Sequence, residues 1–175
     1  DAVVQSDVLS GILRGFEGRR RVNRPHYWNE CYARFQNSEN EDVRRRSIQL
    51  ALIFDDKSAI EQLKSVAEDR SAKIADRTVA IDSLVASKVA GFATVLQSLI
   101  DDEAVLSNVL RGLAEYEHPD TVKTILGQYS KMPVGARQQA IQTLASRSDW
   151  AGDLLDEIEA KRIARSDVPA FTARQ

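Results

Sequence analysis

One cysteine, four prolines and eight glycines are all that interrupt the 175 residues of this chain. A lone thiol, Cys31, cannot form an internal disulfide, and it excludes every metal site built from several cysteines. So few glycines and prolines cannot supply the frequent turns of an all-β sandwich, and they favour long helices joined by short connections. No run of about 18 apolar residues exists, so no membrane insertion is expected of this chain. Charge of one sign is lacking too. The net charge is −2, with nine arginines against seven acids in the first 54 residues and fifteen basic against nineteen acidic residues after them. Neither part carries the basic excess of a nucleic-acid binder, so no nucleic acid is expected as partner. Also missing are a Gly-rich phosphate loop, a G-x-S-x-G elbow and a paired-carboxylate motif with an obvious cleft. What remains is 43% apolar and 29% charged, a globular composition. The chain opens Asp1-Ala2-Val3 without Met or signal peptide, and it reads as a piece of something longer.

The strongest positive signal is internal repetition. Residues 8–17, VLSGILRGFE, and 105–114, VLSNVLRGLA, agree at six of ten positions across an offset of 97, three steps of about 32. Arg77-x-x-Ala80-Ile81-x-x-Leu84 matches Arg137-x-x-Ala140-Ile141-x-x-Leu144, and Arg44-x-x-Ser47-Ile48-x-x-Ala51 fits the same frame more loosely. Aligning Leu9, Arg44, Arg77, Leu106 and Arg137 gives steps of 35, 33, 29 and 31 residues, the length of a helix-turn-helix repeat but too variable for a tetratricopeptide array. A second apolar set follows in each copy at helical spacing: Trp28/Cys31/Tyr32/Phe35, Ile60/Leu63/Val66, Phe92/Leu96/Leu99, Val122/Leu126/Tyr129 and Ala151/Leu154/Ile158. No window alternates long enough to predict a strand.

Ser38-x-x-Glu41 and Ser58-x-x-Glu61 are predicted capping boxes, and Ser148-Asp149 and Ser166-Asp167 offer further caps. Pro25, Pro119 and Pro133 fall just before periodic runs, where a missing N–H costs nothing. The expected fold is therefore all-α: an α-α superhelix, or HEAT-like solenoid, in a single domain excised from a larger protein. Its hairpins are expected at 2–37, 40–69, 74–101, 103–131 and 134–162, followed by a terminal helix at 166–175, about eleven helices in all.

Asp42-Val43-Arg44, with Ser47 and Ala51, resembles the D-x-V-R-x-x-A opening of a HEAT repeat, and Asp76-Arg77-x-x-Ala80 and Ala136-Arg137-x-x-Ala140 are degenerate versions of it. In such a motif the small residue lets helices approach, while Asp and Arg tie adjacent turns together. A more specific resemblance covers nearly the whole chain. It rests on Leu13-x-Gly15-Phe16-x-Gly18-Arg19-Arg20-Arg21, Trp28, Val43-Arg44-Arg45 and Leu144-Ala145-Ser146-Arg147. Further matches are Leu154-Leu155-Asp156-x-Ile158-Glu159-Ala160-x-Arg162-Ile163 and Ala170-Phe171-x-Ala173-Arg174-Gln175. These residues resemble the HEAT-like region of large multidomain proteins of planctomycetes and related bacteria, membrane-bound dehydrogenases with a c-type haem-binding domain. In that family the region lies between a β-propeller and a cytochrome c domain. The resemblance implies an exported or periplasmic spacer or docking module, neighbouring domains of the same polypeptide as partners, and no haem or other cofactor on this chain.

The candidate sites weigh differently. His26 and His118 stand apart, each beside a proline near a helix start, which fits capping better than metal binding. Cys31, between Trp28 and Phe35 at helical spacing, reads as a buried small contact rather than a nucleophile, and Tyr27, Trp28, Tyr32 and Phe35 read as packing rather than as a ligand cage. Arg19, Arg20, Arg21 with Arg24, and Arg44, Arg45, Arg46, form a possible interaction patch for an acidic partner, set against a role in tying turns together. Gly11, Gly15, Gly112 and Gly127 suit close packing or helix ends. The second helices are expected to line a concave face exposing Glu61, Gln62, Ser65, Gln97, Lys123 and Gln128. The expected role is a non-catalytic scaffold. The alternative is a nucleic-acid-binding protein resembling the HEAT-like alkylpurine glycosylases, and a third reading, a HEAT-like enzyme or chromophore lyase, has no motif behind it.

Overall fold

The structure, a computed structural model, describes residues 1–19 and 22–169. Ten α-helices succeed one another: α1 (Ala2–Gly15), α2 (Trp28–Gln36), α3 (Glu41–Ile53), α4 (Lys57–Glu68), α5 (Ile74–Ala86), α6 (Phe92–Ser98), α7 (Leu106–Ala114), α8 (Thr121–Tyr129), α9 (Val134–Ala145) and α10 (Ser148–Glu159). The fold is all-α, with no strand among the described residues. Each interval expected to be a repeat holds two helices. The terminal helix is different: 165–167 form one 3₁₀ turn, Val168 is extended, and 170–175 lie outside the described residues. The chain divides into two compact units, Asp1–Val66 and Ala67–Gln175.

Within the first unit α3 packs on both α1 and α2. Their shared core joins Leu9, Tyr32, Val43, Leu50 and Ala51 to an aromatic group in which Trp28 stacks on Tyr32 (5.5 Å) and meets the edge of Phe54 (4.8 Å). Each fully buried large apolar side chain contributes roughly 1.5–3 kcal/mol. Tyr32 is the imperfect member, because its hydroxyl is buried with no hydrogen-bond partner among the described residues, and burial pushes the phenol up to about 12. Removing an unsatisfied buried hydroxyl relieves its desolvation cost, so Tyr32→Phe should stabilise the protein by about 1 kcal/mol in a urea melt.

In the second unit α7 packs on α5 and α6, while α9 packs on α7, α8 and α10. Ile81, Leu84, Phe92, Leu96, Val109, Leu110, Leu113, Ile125, Ile141 and Leu144 are all fully buried there. Gly112 of α7 is the point of closest approach. A Cβ built on it would lie 2.9 Å from Val85 Cγ2 and 3.0 Å from Leu96 Cδ1. Gly112→Val should therefore cost about 1–3 kcal/mol by overpacking, read from its denaturation midpoint. The close-packing role expected of four glycines belongs to Gly112. Around Gly11, Gly15 and Gly127 the space is open, and Gly15 is the last residue of α1.

Two helix starts differ from the predicted caps because a neighbouring side chain reaches the orphan N–H groups first. Asn40, not Ser38, caps α3 by accepting from the amides of Asp42 and Val43. Asp56, not Ser58, accepts from the amides of Ser58 and Ala59 at the start of α4. Ser148 is the first residue of α10 rather than its cap, and Arg147 precedes it with its guanidinium 4.8 Å from the Trp150 ring. Three helices end in the same left-handed turn without glycine. Asp55 (φ 52), Lys88 (φ 49) and Lys161 (φ 61) follow α3, α5 and α10. In each case the next amide donates to a carbonyl five residues back: Asp56 to Ala51, Val89 to Leu84 and Arg162 to Glu157. This is the Schellman arrangement, which satisfies the last carbonyls of a helix.

Candidate functional site

The arginine of the repeated motif occupies the same place in three helices. Arg44, Arg77 and Arg137 are each the fourth residue of their helix, in α3, α5 and α9. A side chain there points back over the preceding turn, because Cα–Cβ bonds tilt toward the helix N-terminus. Arg44 donates to the Ser38 carbonyl, Arg77 Nε to that of Ala67 (3.0 Å), and Arg137 to those of Met132 and Ser130 (2.9 Å each). All three clamp the connection just before their own helix.

Arg77 goes further. It is 2% exposed, and its Nη2 lies 2.6 Å from Oδ2 of Asp102, itself largely buried. Burial acts to raise the Asp102 pKa. The hydrogen bond and charge of Arg77, the Ala104 amide (3.2 Å) and the charge of Arg70 outweigh it, and the carboxyl sits below its ordinary value. The motif suggested that its Asp and Arg tie adjacent turns together; Asp76 is exposed, and the partner of Arg77 is Asp102, 25 residues on. In the first unit the buried carboxylate is Asp56. Besides capping α4 it accepts from the Trp28 indole (3.0 Å) and faces Arg24 (3.6 Å).

These contacts account for much of the expected arginine patch. Arg46 donates to the Ser6 carbonyl (2.7 Å) and hydroxyl, Arg45 pairs with Asp42, and Arg44 holds the Ser38 carbonyl. Arg19 is exposed, and no hydrogen bond or ion pair among the described residues joins it to the α3 arginines. Arg20 and Arg21 lie outside the described residues. Among the described residues of the cluster, Arg19, Arg24 and Arg45 are exposed.

The six residues expected on a concave face fall in both units. On α4, Glu61, Gln62 and Ser65 are exposed; Glu61 pairs with Lys64 (2.8 Å), and Gln62 accepts from Gln36 (3.1 Å). Gln97 of α6 is half-buried and bonded, its Nε2 2.9 Å from His118 Nδ1 and 3.3 Å from Thr121 Oγ1. The Asp120 amide also donates to His118 Nδ1 (3.3 Å), so this nitrogen is an acceptor and the imidazole orders the turn before α8. Lys123 is exposed, and Gln128 lines a shallow dip of ≈ 140 Å³ with Asp101, Glu103, Leu106 and Lys131.

No protein-family profile matches the chain, and no curated protein or solved structure matches it either. A depression of ≈ 310 Å³ between α5 and α7 is walled by Asp82, Lys88, Asn108, Arg111 and Glu115 over a floor of Val85 and Gly112. Its polar walls satisfy one another: Asn108 donates to Asp82 (2.9 Å), Arg111 lies 3.7 Å from the same carboxylate, and Lys88 pairs with Glu115. Among the described residues no group of three His, Cys, Asp or Glu is placed to hold a metal ion, and no helix is long and apolar enough to cross a membrane. The tyrosines Tyr116 and Tyr129 are pushed up to about 12 by burial, with Tyr129 also bonded to Asp167 (3.0 Å), so neither serves as a base near neutrality. Cys31 differs from expectation: it is exposed, because Trp28 and Tyr32 take the buried face of α2. Tyr27 is likewise 66% exposed, set edge-on to His26 at 4.8 Å.

Proposed function

We propose that this chain is a stack of HEAT-like helical hairpins acting as a non-catalytic scaffold and protein-interaction module. By family resemblance it docks or links a β-propeller dehydrogenase-like domain and a cytochrome c domain of the same polypeptide in an exported protein. The observation that carries the reading is a set of side-chain bridges that recur one repeat apart. Thr143 donates to the Leu110 carbonyl and Gln139 to that of Ser107, at separations of 33 and 32 residues. Tyr116 bonds the Leu84 carbonyl at 32, and Arg70 pairs with Asp101 at 31. Such regular ties, with the Arg44, Arg77 and Arg137 clamps, suit repeats whose energetics are nearest-neighbour in character. Polar groups are spent on one another rather than converging on a reacting centre, which favours a binding module over an enzyme.

The test is calorimetric. Titrating the chain with separately produced β-propeller and cytochrome c domains from a protein of the resembled type should give measurable heat of association. Lys123→Glu and Gln128→Glu should weaken it if the second helices form the contact face. No heat with either domain refutes docking. A salt-dependent shift of a labelled DNA duplex would instead favour the glycosylase-like alternative.

A further inference from the structure

The first helix carries a face that its equivalents in α3, α7 and α9 keep covered, whereas in α5 the residue aligned with Gly11, Val79, is 42% exposed. In the alignment of residues 8–17 with 105–114, Val8, Gly11, Ile12 and Gly15 correspond to Val105, Asn108, Val109 and Gly112. Val105 and Val109 are buried (1% and 0%), and Gly112 meets Val85 of α5 and Leu96 of α6. Asn108, one turn before Gly112, donates to Asp82 of α5. The corresponding pair in α9, Gln139 and Thr143, bonds the carbonyls of Ser107 and Leu110 in α7. In α3 the matching residues are Arg46, which bonds Ser6 of α1, and Leu50, which is 1% exposed. Three first helices thus use these two positions, four residues apart, to seat the first helix before them. On α1 the same positions meet nothing among the described residues: Gly11 and Gly15 have open space where a Cβ would lie, and Val4, Val8 and Ile12 are 59%, 55% and 39% exposed.

We infer that this face of α1 is a docking surface for a helical hairpin of the same repeat type, which seats on Val8, Gly11, Ile12 and Gly15 as α5 and α6 seat on α7. Charge adds to the argument. Arg111 faces Asp82 of α5 at 3.7 Å, whereas its equivalent, Arg14, pairs with no carboxylate among the described residues. The occupant accordingly presents a carboxylate to Arg14 and, three residues on, an aliphatic side chain, in the pattern of Asp82 and Val85. The seating is directional, α3, α7 and α9 each receiving an earlier first helix of their own unit, which favours a foreign hairpin over a second copy docked face to face through a two-fold axis. Glycines at 11 and 15 let that helix approach closely, since interaxial distance follows the side chains at the contact.

This inference rests on the stacked-hairpin reading above, and the test separates the two. The full chain is extended ahead of Asp1 by a second copy of residues 69–104, which brings the α5–α6 pair and its following loop. Amide hydrogen exchange in α1 should slow by about tenfold or more relative to the unextended chain. Val8→Glu with Ile12→Glu, both at exposed positions, should abolish that slowing. No slowing in the extended chain overturns the docking proposal. Concentration-dependent dimerisation of the unextended chain that Ile12→Glu breaks also overturns it, in favour of a second copy. Gly112→Val, measured in parallel, reads stacking inside the second unit. If it destabilises while the extension has no effect, stacking stands and only docking at α1 is lost.

Discussion

Replacing Arg77 by methionine should lower the unfolding free energy by about 3–5 kcal/mol. The reason is asymmetry. The buried guanidinium and the Asp102 carboxylate compensate each other, and Arg77 also closes the turn through the Ala67 carbonyl. Removing the arginine strands an anion in a site of low exposure, with the Ala104 amide (3.2 Å) and the more distant Arg70 (3.8 Å) left to face it. The double variant Arg77→Met with Asp102→Leu should recover much of the loss, since it removes the stranded charge as well. Urea denaturation of both single variants and the double variant checks this, and equal destabilisation in the double would remove the pair from the explanation. The pH dependence has a definite sign. The folded Asp102 carboxyl titrates below its unfolded value of about 3.9, so its contribution is present above that value. It is lost as pH falls below about 4, through the lowered folded pKa. An acid titration of stability should therefore be shallower in the double variant than in the natural chain.

Asp56→Ala should cost about 2–4 kcal/mol, combining a lost helix cap of about 0.5–2 with a stranded indole N–H of about 1–3. The carboxylate serves the amides of Ser58 and Ala59 with one oxygen and Trp28 Nε1 with the other. Asp56→Asn keeps an acceptor and should lose much less. Because Trp28 is one of only two tryptophans, its emission offers a local readout: a red shift is expected for the alanine variant. An alanine variant as stable as the natural chain would show that the capping and indole contacts carry no net energy.

Some of this was legible beforehand. The spacing of Arg44, Arg77 and Arg137 located three first helices, since apolar residues at three and four positions on mark one helical face. Caps were less legible. Ser38, Ser58 and Ser148 were plausible by type, yet Asn40 and Asp56 stood a residue or two away with equal or better chemistry, and type alone does not rank adjacent candidates. The turns at Asp55, Lys88 and Lys161 gave no signal, because the residue that marks a left-handed helix end is glycine and none is present. Cys31 was misplaced by one step around α2: positions 28 and 32 face the core, and 31 falls just past the edge of that face.

Composition and period by themselves determined that this chain is helical and the five intervals that each hold two helices among the described residues, because local backbone preference and the 3.6-residue repeat act over short stretches of chain. The pairing of Arg77 with Asp102, the triple duty of Asp56, the occupied state of the α3 arginines and the open face of α1 were decided only by tertiary structure. Each depends on which groups distant in sequence lie close in space, and a hydrogen bond or a desolvated charge takes its energy from that proximity rather than from residue type.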